Sequence, residues 1–138
     1  MTMPVRDMLK EKGISPSYTR QKIYEFLAAS TDHPTADDIY RALIRELPTL
    51  SKTTVYNVIK LLCEHDLVKP VNMSSSEMRY EVWHEPHSHF RCTVCGTIYD
   101  IPPIIPRYDA KRLEGFIIKD EEVNLSGICP ICQQESTT

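Results

Sequence analysis

No run of apolar residues in this 138-residue sequence approaches the roughly eighteen that span a bilayer, which excludes a transmembrane segment. The opening MTMPVRDMLKEKG is charged by Arg6, unlike the apolar leader of a secreted chain, so a cytoplasmic protein with no membrane partner is expected. Internal repeats and low-complexity tracts are absent too, which excludes solenoids and repetitive scaffolds. Also missing is any surplus of positive charge. The net charge is −3, a balance that argues against a nucleic-acid partner when the chain is taken whole. The halves differ, however: residues 1–72 carry ten Lys/Arg and nine Asp/Glu, residues 73–138 six and ten. An acidic partner would therefore meet the first half.

What is present is an ordinary globular balance, 41 % hydrophobic and 25 % charged, enough for one domain or two small ones. Five cysteines in a reducing compartment read as metal ligands before disulfides. Four form two CxxC pairs, Cys92/Cys95 and Cys129/Cys132, and the fifth, Cys63, is read as a small buried apolar residue within a helix.

The first seventy residues break into short helices. Residues 5–12 form a first, closed by Gly13. Ser17 caps a second with Ile23, Phe26 and Leu27 on one side. Thr35, with Asp38 three residues on, opens a third that turns Ile39, Leu43 and Leu47 inward. Ser51 caps a fourth, running to about His65. The period then changes, and residues 67–71 and 78–82 read as a hairpin around the polar turn 72–77. Helices followed by a hairpin give a winged helix-turn-helix. Beyond it, strands are expected at 90–92, 97–101, 116–119 and 123–126. One short helix is expected near 107–114, between the prolines 102, 103 and 106 and Gly115.

On the fourth helix Val55, Val58, Ile59 and Leu62 share a face by their i, i+3, i+4, i+7 spacing, and Thr53, Tyr56, Asn57 and Lys60 repeat that spacing on the opposite face. Exposed Tyr and Asn are poor choices for a merely soluble surface. Tyr and Thr can touch a thymine methyl, Asn can pair with adenine and Lys can meet phosphate, so this face is read as DNA-binding.

The two CxxC pairs present four thiolates to one tetrahedral ion. Zinc fits, and a closed four-sulfur site is structural because it leaves no open coordination position. His87 and His89 point to one side of a strand and, with the nearby carboxylates Glu81 and Asp100, make a mixed set that Fe2+, Mn2+ or Zn2+ accepts. His84 and His65 are set aside as ordinary surface histidines. A zinc deaminase on the same residues would need HxE followed by PCxxC, whereas His84 and Glu85 are adjacent and the second pair reads Cys129-Pro130-Ile131-Cys132, so the chain is not read as an enzyme. A zinc-ribbon interaction module leaves the Tyr56/Asn57 face unexplained.

HPTADDIYRAL (33–43), SKTTVYNVIKLL (51–62), RYE (79–81), HSHFRCTVCGTIYDI (87–101) and GICPIC (127–132), in this order, resemble the ferric uptake regulator family over nearly the whole chain. The resemblance implies an α+β protein: a winged helix-turn-helix DNA-binding domain over residues 1–79, then a small α/β dimerisation domain over 80–138 with zinc on its two CxxC knuckles. It implies a homodimer that represses transcription from operator DNA, with structural Zn2+ on Cys92, Cys95, Cys129 and Cys132. It further implies a regulatory Fe2+ or Mn2+ at the hinge on His33, Glu81, His87, His89 and Asp100. Asp100 and Asn57 resemble the peroxide-responsive branch, in which ferrous iron directs oxidation of histidines matching His33 and His87; Glu81 resembles the iron-responsive branch. Pro86-His87-Ser88-His89 stands where some iron regulators have HHDH for a further site, and Ser15 where a basic residue often enters the minor groove. A zinc-uptake sensor of the same family is the alternative, which the lack of a cysteine among the hinge ligands weakens.

Overall fold

The computed structural model describes residues 3–71 and 77–135. The chain separates into two compact units, Met1–His84 and Glu85–Thr138. The division foreseen between residues 79 and 80 would cut a strand whose ladder ties residues 79–82 to the first unit.

In the first unit, α1 (Val5–Glu11), α2 (Tyr18–Ala29), α3 (Ala36–Leu43) and α4 (Lys52–Glu64) precede a hairpin of β1 (Val68–Val71) and β2 (Arg79–Val82). α2, α3 and α4 start where side chains can satisfy their free N–H groups. The Ser17 hydroxyl accepts from Arg20 N at 3.1 Å and Ser51 from Thr54 N at 3.0 Å, while Thr35 and Asp38 form a full capping box. α1 and α4 stop in left-handed turns: Gly13 at φ +84 lets Ile14 N reach Leu9 O at 2.9 Å, and Asp66 at φ +59 lets Leu67 N reach Leu62 O at 3.0 Å. Ile23, Leu27, Ile39, Val55, Ile59 and Leu62 are the centre of one apolar core. Val68 lies opposite Val82 and Val71 opposite Arg79; of the connecting turn, residues 72–76 lie outside the described residues.

The second unit is built on a three-stranded sheet in the order β4-β3-β5, from β3 (Ser88–Cys92), β4 (Ile98–Ile101) and β5 (Asn124–Gly127), followed by α5 (Pro130–Glu135). β3 pairs antiparallel with β4 through the first CxxC turn and parallel with β5 after a long crossover. Two expectations fail in that crossover. In place of the helix expected near 107–114, residues 110–115 form turns, with bonds such as Arg112 N to Asp109 O at 3.1 Å, and Leu113 alone of residues 107–115 is not exposed, so a helix would have no apolar face to bury. Residues 116–119 form no strand: Phe116 and Ile117 are 71 % and 85 % exposed, and none of the described strands pairs with them. The short α5 was not anticipated; Pro130 occupies its first position, where a missing N–H costs nothing. Among the described residues no helix is long and apolar enough to cross a membrane.

Candidate functional site

The parallel β3/β5 pair brings the two cysteine knuckles together. Cys92 ends β3 opposite Gly127, and Thr93 N bonds to Gly127 O at 2.7 Å, so the chain reaches Cys129 directly beside Cys92. A side chain at Gly127 would stand 3.2 Å from the Phe90 ring, which makes glycine the residue that lets the strands close. Gly96 at φ +77 folds the first knuckle back, with Gly96 N on Cys92 O at 3.0 Å. The four cysteines place ligand atoms within 4.8 Å of one another, and Cys95 Sγ is 3.9 Å from Cys129 Sγ. Four sulfurs at about 2.3 Å from a tetrahedral zinc are about 3.8 Å apart, so the arrangement fits the ion.

The electrostatics agree with that fit. Backbone N–H groups of Cys95 and then Cys129, at 3.5 and 3.4 Å, hold the Cys92 thiol down to about 6. The Tyr99 hydroxyl lowers Cys129 and is itself pushed up to about 12 by that hydrogen bond. Cys132, crowded first by Cys129, is pushed up to about 12. Some of these sulfurs are prepared as thiolates, yet four cannot all carry charge together without a cation between them.

In the first unit His33 and Glu81, distant in sequence, meet: His33 Nε2 is 3.1 Å from Glu81 Oε2 and both residues are buried. The loop before α3 is stitched to the free edge of β2 by Tyr80 N on Pro34 O at 3.0 Å and by the Thr35–Arg79 bridge. Arg79 Nη1 adds a bond to His33 O at 3.1 Å. His33 sits at φ +51 directly before a proline, a position where extended backbone is the norm. These bonds hold it in a strained shape that serves side-chain placement. His84, set aside above, offers a ligand atom within 4.8 Å of one on Glu81.

In the second unit His87, His89 and Asp100 converge. His89 lies opposite Asp100 across β3 and β4, with Nε2 and Oδ1 3.3 Å apart. His87 Nε2 is 3.0 Å from His89 Nε2 and 3.6 Å from Asp100 Oδ1. His87 Nδ1 lies 2.9 Å from the Glu85 carbonyl, which can only accept. The ring proton is therefore on Nδ1, and the Nε2 lone pair is left for a metal. Two nitrogens about 3 Å apart suit neighbouring ligands at about 2.1 Å from one ion.

On α4 Val55, Val58, Ile59 and Leu62 are buried, and Thr53, Tyr56, Asn57 and Lys60 are exposed together. Tyr56 is 55 % exposed, which leaves its ring available to a partner. Cys63 is half-buried, and burial pushes its thiol up, consistent with a packing role.

Four residues escaped the sequence reading. His84 could have been found three residues beyond Glu81. Thr97 and Tyr99 could have been found from strand alternation, which sends both to the sulfur side while Asp100 faces the other way. Arg79 had no local signal, because the loop it pins comes from far along the chain.

The model of the ferric uptake regulator family matches residues 11–126. The peroxide operon regulator of Bacillus subtilis is 33 % identical over 132 residues, spanning 94 % of this chain and 91 % of that protein. The structure of the peroxide-sensing regulator PerR from Streptococcus pyogenes is 33 % identical, with a TM-score of 0.54, over 94 % of this chain and 90 % of that one. The ferric uptake regulator of Helicobacter pylori, 22 % identical, shares the fold with a TM-score of 0.73 over 97 % and 91 %. With its cysteine cluster, its paired histidine and carboxylate groups and its winged helix, the chain belongs to the ferric uptake regulator family, whose members are metal-dependent transcriptional repressors.

Proposed function

We propose that the chain acts as a cytoplasmic homodimer that binds operator DNA through Thr53, Tyr56, Asn57 and Lys60. In this reading its affinity is set by a regulatory Fe2+ or Mn2+ on His33, Glu81, His87, His89 and Asp100. The observation that carries it is the division of ligands: His33 and Glu81 are prepared in one unit, and His87, His89 and Asp100 in the other. Neither set alone fills a coordination sphere. Residues that complete the sphere only when the units approach favour that arrangement by their differential affinity, and so fix the spacing of two reading helices in a dimer. The exposed apolar run at Phe116, Ile117 and Ile118 supports a second copy as the missing partner of the second unit.

The likeness to the Bacillus subtilis peroxide operon regulator supports peroxide as the signal. A bound ferrous ion would supply the redox chemistry that peroxide triggers. His33 and His87 would stand beside it as the oxidised side chains. Glu81, the longer carboxylate, supports iron sensing as the second reading.

The test is operator retention with Fe2+, with Mn2+ and with no regulatory ion, before and after peroxide. His33→Ala is expected to keep partial metal binding while uncoupling it from DNA affinity, and full metal-dependent repression by that variant overturns the proposal. For the wild-type Fe2+ form, a gain of one oxygen on His33 or His87 with loss of DNA binding is expected, and none in the Mn2+ form. Intact histidines and unchanged DNA binding decide for iron sensing.

A further inference from the structure

Of the four sulfurs in the cysteine cluster, three are buried and one, that of Cys95, belongs to an exposed residue. A hydroxyl stands beside it, also on an exposed residue: Cys95 Sγ lies 3.3 Å from Thr97 Oγ1. A zinc-bound cysteine sulfur carries no proton, so in the cluster with its ion the hydroxyl at that distance can only donate, and a donated hydrogen bond ties up the sulfur lone pair that would otherwise attack an electrophile. Cys129 Sγ stands 3.9 Å from Cys95 Sγ, close enough to resolve an oxidised neighbour.

We propose that Cys95 is the oxidation site of the cysteine cluster, that Cys129 is its resolving partner, and that the Thr97 hydroxyl is a positioning residue that slows the attack. The inference rests on the assignment of zinc to these four cysteines. It names a chemical target separate from the histidines of the regulatory centre.

The oxidant is a hydroperoxide. The Cys95 sulfur attacks one peroxide oxygen; an S–O bond forms, the O–O bond breaks, and the departing hydroxide is protonated to water. The Cys129 sulfur then displaces the sulfenic oxygen, which leaves as a second water after protonation, and the Cys95–Cys129 disulfide closes. Two thiolates have lost two electrons and one peroxide has become two waters. A cluster reduced to Cys92 and Cys132 loses the closed tetrahedron, and the ion is released to solvent.

The experiment uses the full chain in its Mn2+ form, so that ferrous chemistry at the histidines is absent. Hydrogen peroxide is added in steps, free thiols are blocked by alkylation, peptides are mapped by mass, and released zinc is read with a chromophoric chelator. Cys95–Cys129 is expected to be the first disulfide formed. Thr97→Val, which keeps the shape and deletes the hydroxyl, is expected to release zinc roughly fivefold faster, the factor that about one neutral hydrogen bond represents. Thr97→Ser is expected to match the wild type. A first oxidation at any other cysteine, a Thr97→Val rate equal to wild type, or a Thr97→Ser rate equal to Thr97→Val overturns the proposal. Should Thr97→Val purify without zinc, the order of oxidation in the wild-type chain decides alone. Zinc content before peroxide, expected at about one ion per chain, tests the underlying assignment separately.

Discussion

The first unit buries a continuous set of aliphatic side chains from Leu9 to Val68, with Tyr24, Phe26 and Tyr80 packed around it. In the second unit the buried cluster among the described residues is Cys92, Cys129 and Cys132, with only Phe90 and Tyr99 against it. One half of the chain is held by removing carbon from water, the other by what its sulfurs hold. A small apolar core gives little stability by itself, and a structural zinc is the usual remedy in so small a unit. The difference also separates tasks. Unit one can expose a polar face on α4 because the opposite face is firmly anchored, whereas in unit two the zinc proposed for the four cysteines would tie the strand pairing together.

The sharpest way to break this comparison is to remove the zinc. Cys129→Ser, or a strong chelator, is expected to cost the second unit most of the roughly 10–16 kcal/mol that structural zinc contributes in small domains. Amide hydrogen exchange would then show β3, β4 and β5 losing protection while α2 and α4 keep theirs; equal loss in both units would show that the cores are not independent. The reciprocal change is smaller. Leu62, fully buried on α4, should cost about 2–5 kcal/mol when replaced by alanine, measured by urea unfolding, with zinc content unchanged. A drop in zinc for Leu62→Ala would mean that the sulfur cluster leans on the helical core. The smallest effect sharpens the comparison at the surface. Tyr56→Ala is expected to leave the urea midpoint nearly unchanged and to lower operator affinity by about 1–3 kcal/mol relative to random DNA. Lys60→Ala should weaken both DNAs alike and flatten the salt dependence. Equal losses on both DNAs for Tyr56→Ala would mean that α4 meets DNA in another orientation.

Legibility in the sequence followed the range of the interactions. Ser17, Thr35 with Asp38, Ser51 and Gly13 act within one helical turn, and their caps are as expected. The α4 faces follow from a period that every residue repeats. The CxxC spacing likewise announced its cluster, because each knuckle is a local turn. Residues 116–119 misled for the opposite reason: β-branched and aromatic residues satisfy strand chemistry, but a strand needs a partner, and none of the described strands pairs with these residues. The His33–Glu81 contact was implied by family resemblance alone, since no local rule joins a loop before α3 to the far edge of a hairpin. His84 was set aside as an ordinary surface histidine, and Thr97 drew no notice because a hydroxyl beside a sulfur looks like any surface threonine.

β3 carries His89 and ends on Cys92, and its neighbour β4 sets Asp100 directly across from His89. An extended strand has little slack, about 3.3 Å per residue, so a shift at Cys92 is passed along the strand toward the histidine three positions before it. With zinc on Cys92 and the regulatory ion on His89, as proposed, ion loading would acquire an order: a newly made chain would have to secure zinc before it could weigh iron or manganese, and a zinc-starved chain would fall silent instead of reporting a false abundance.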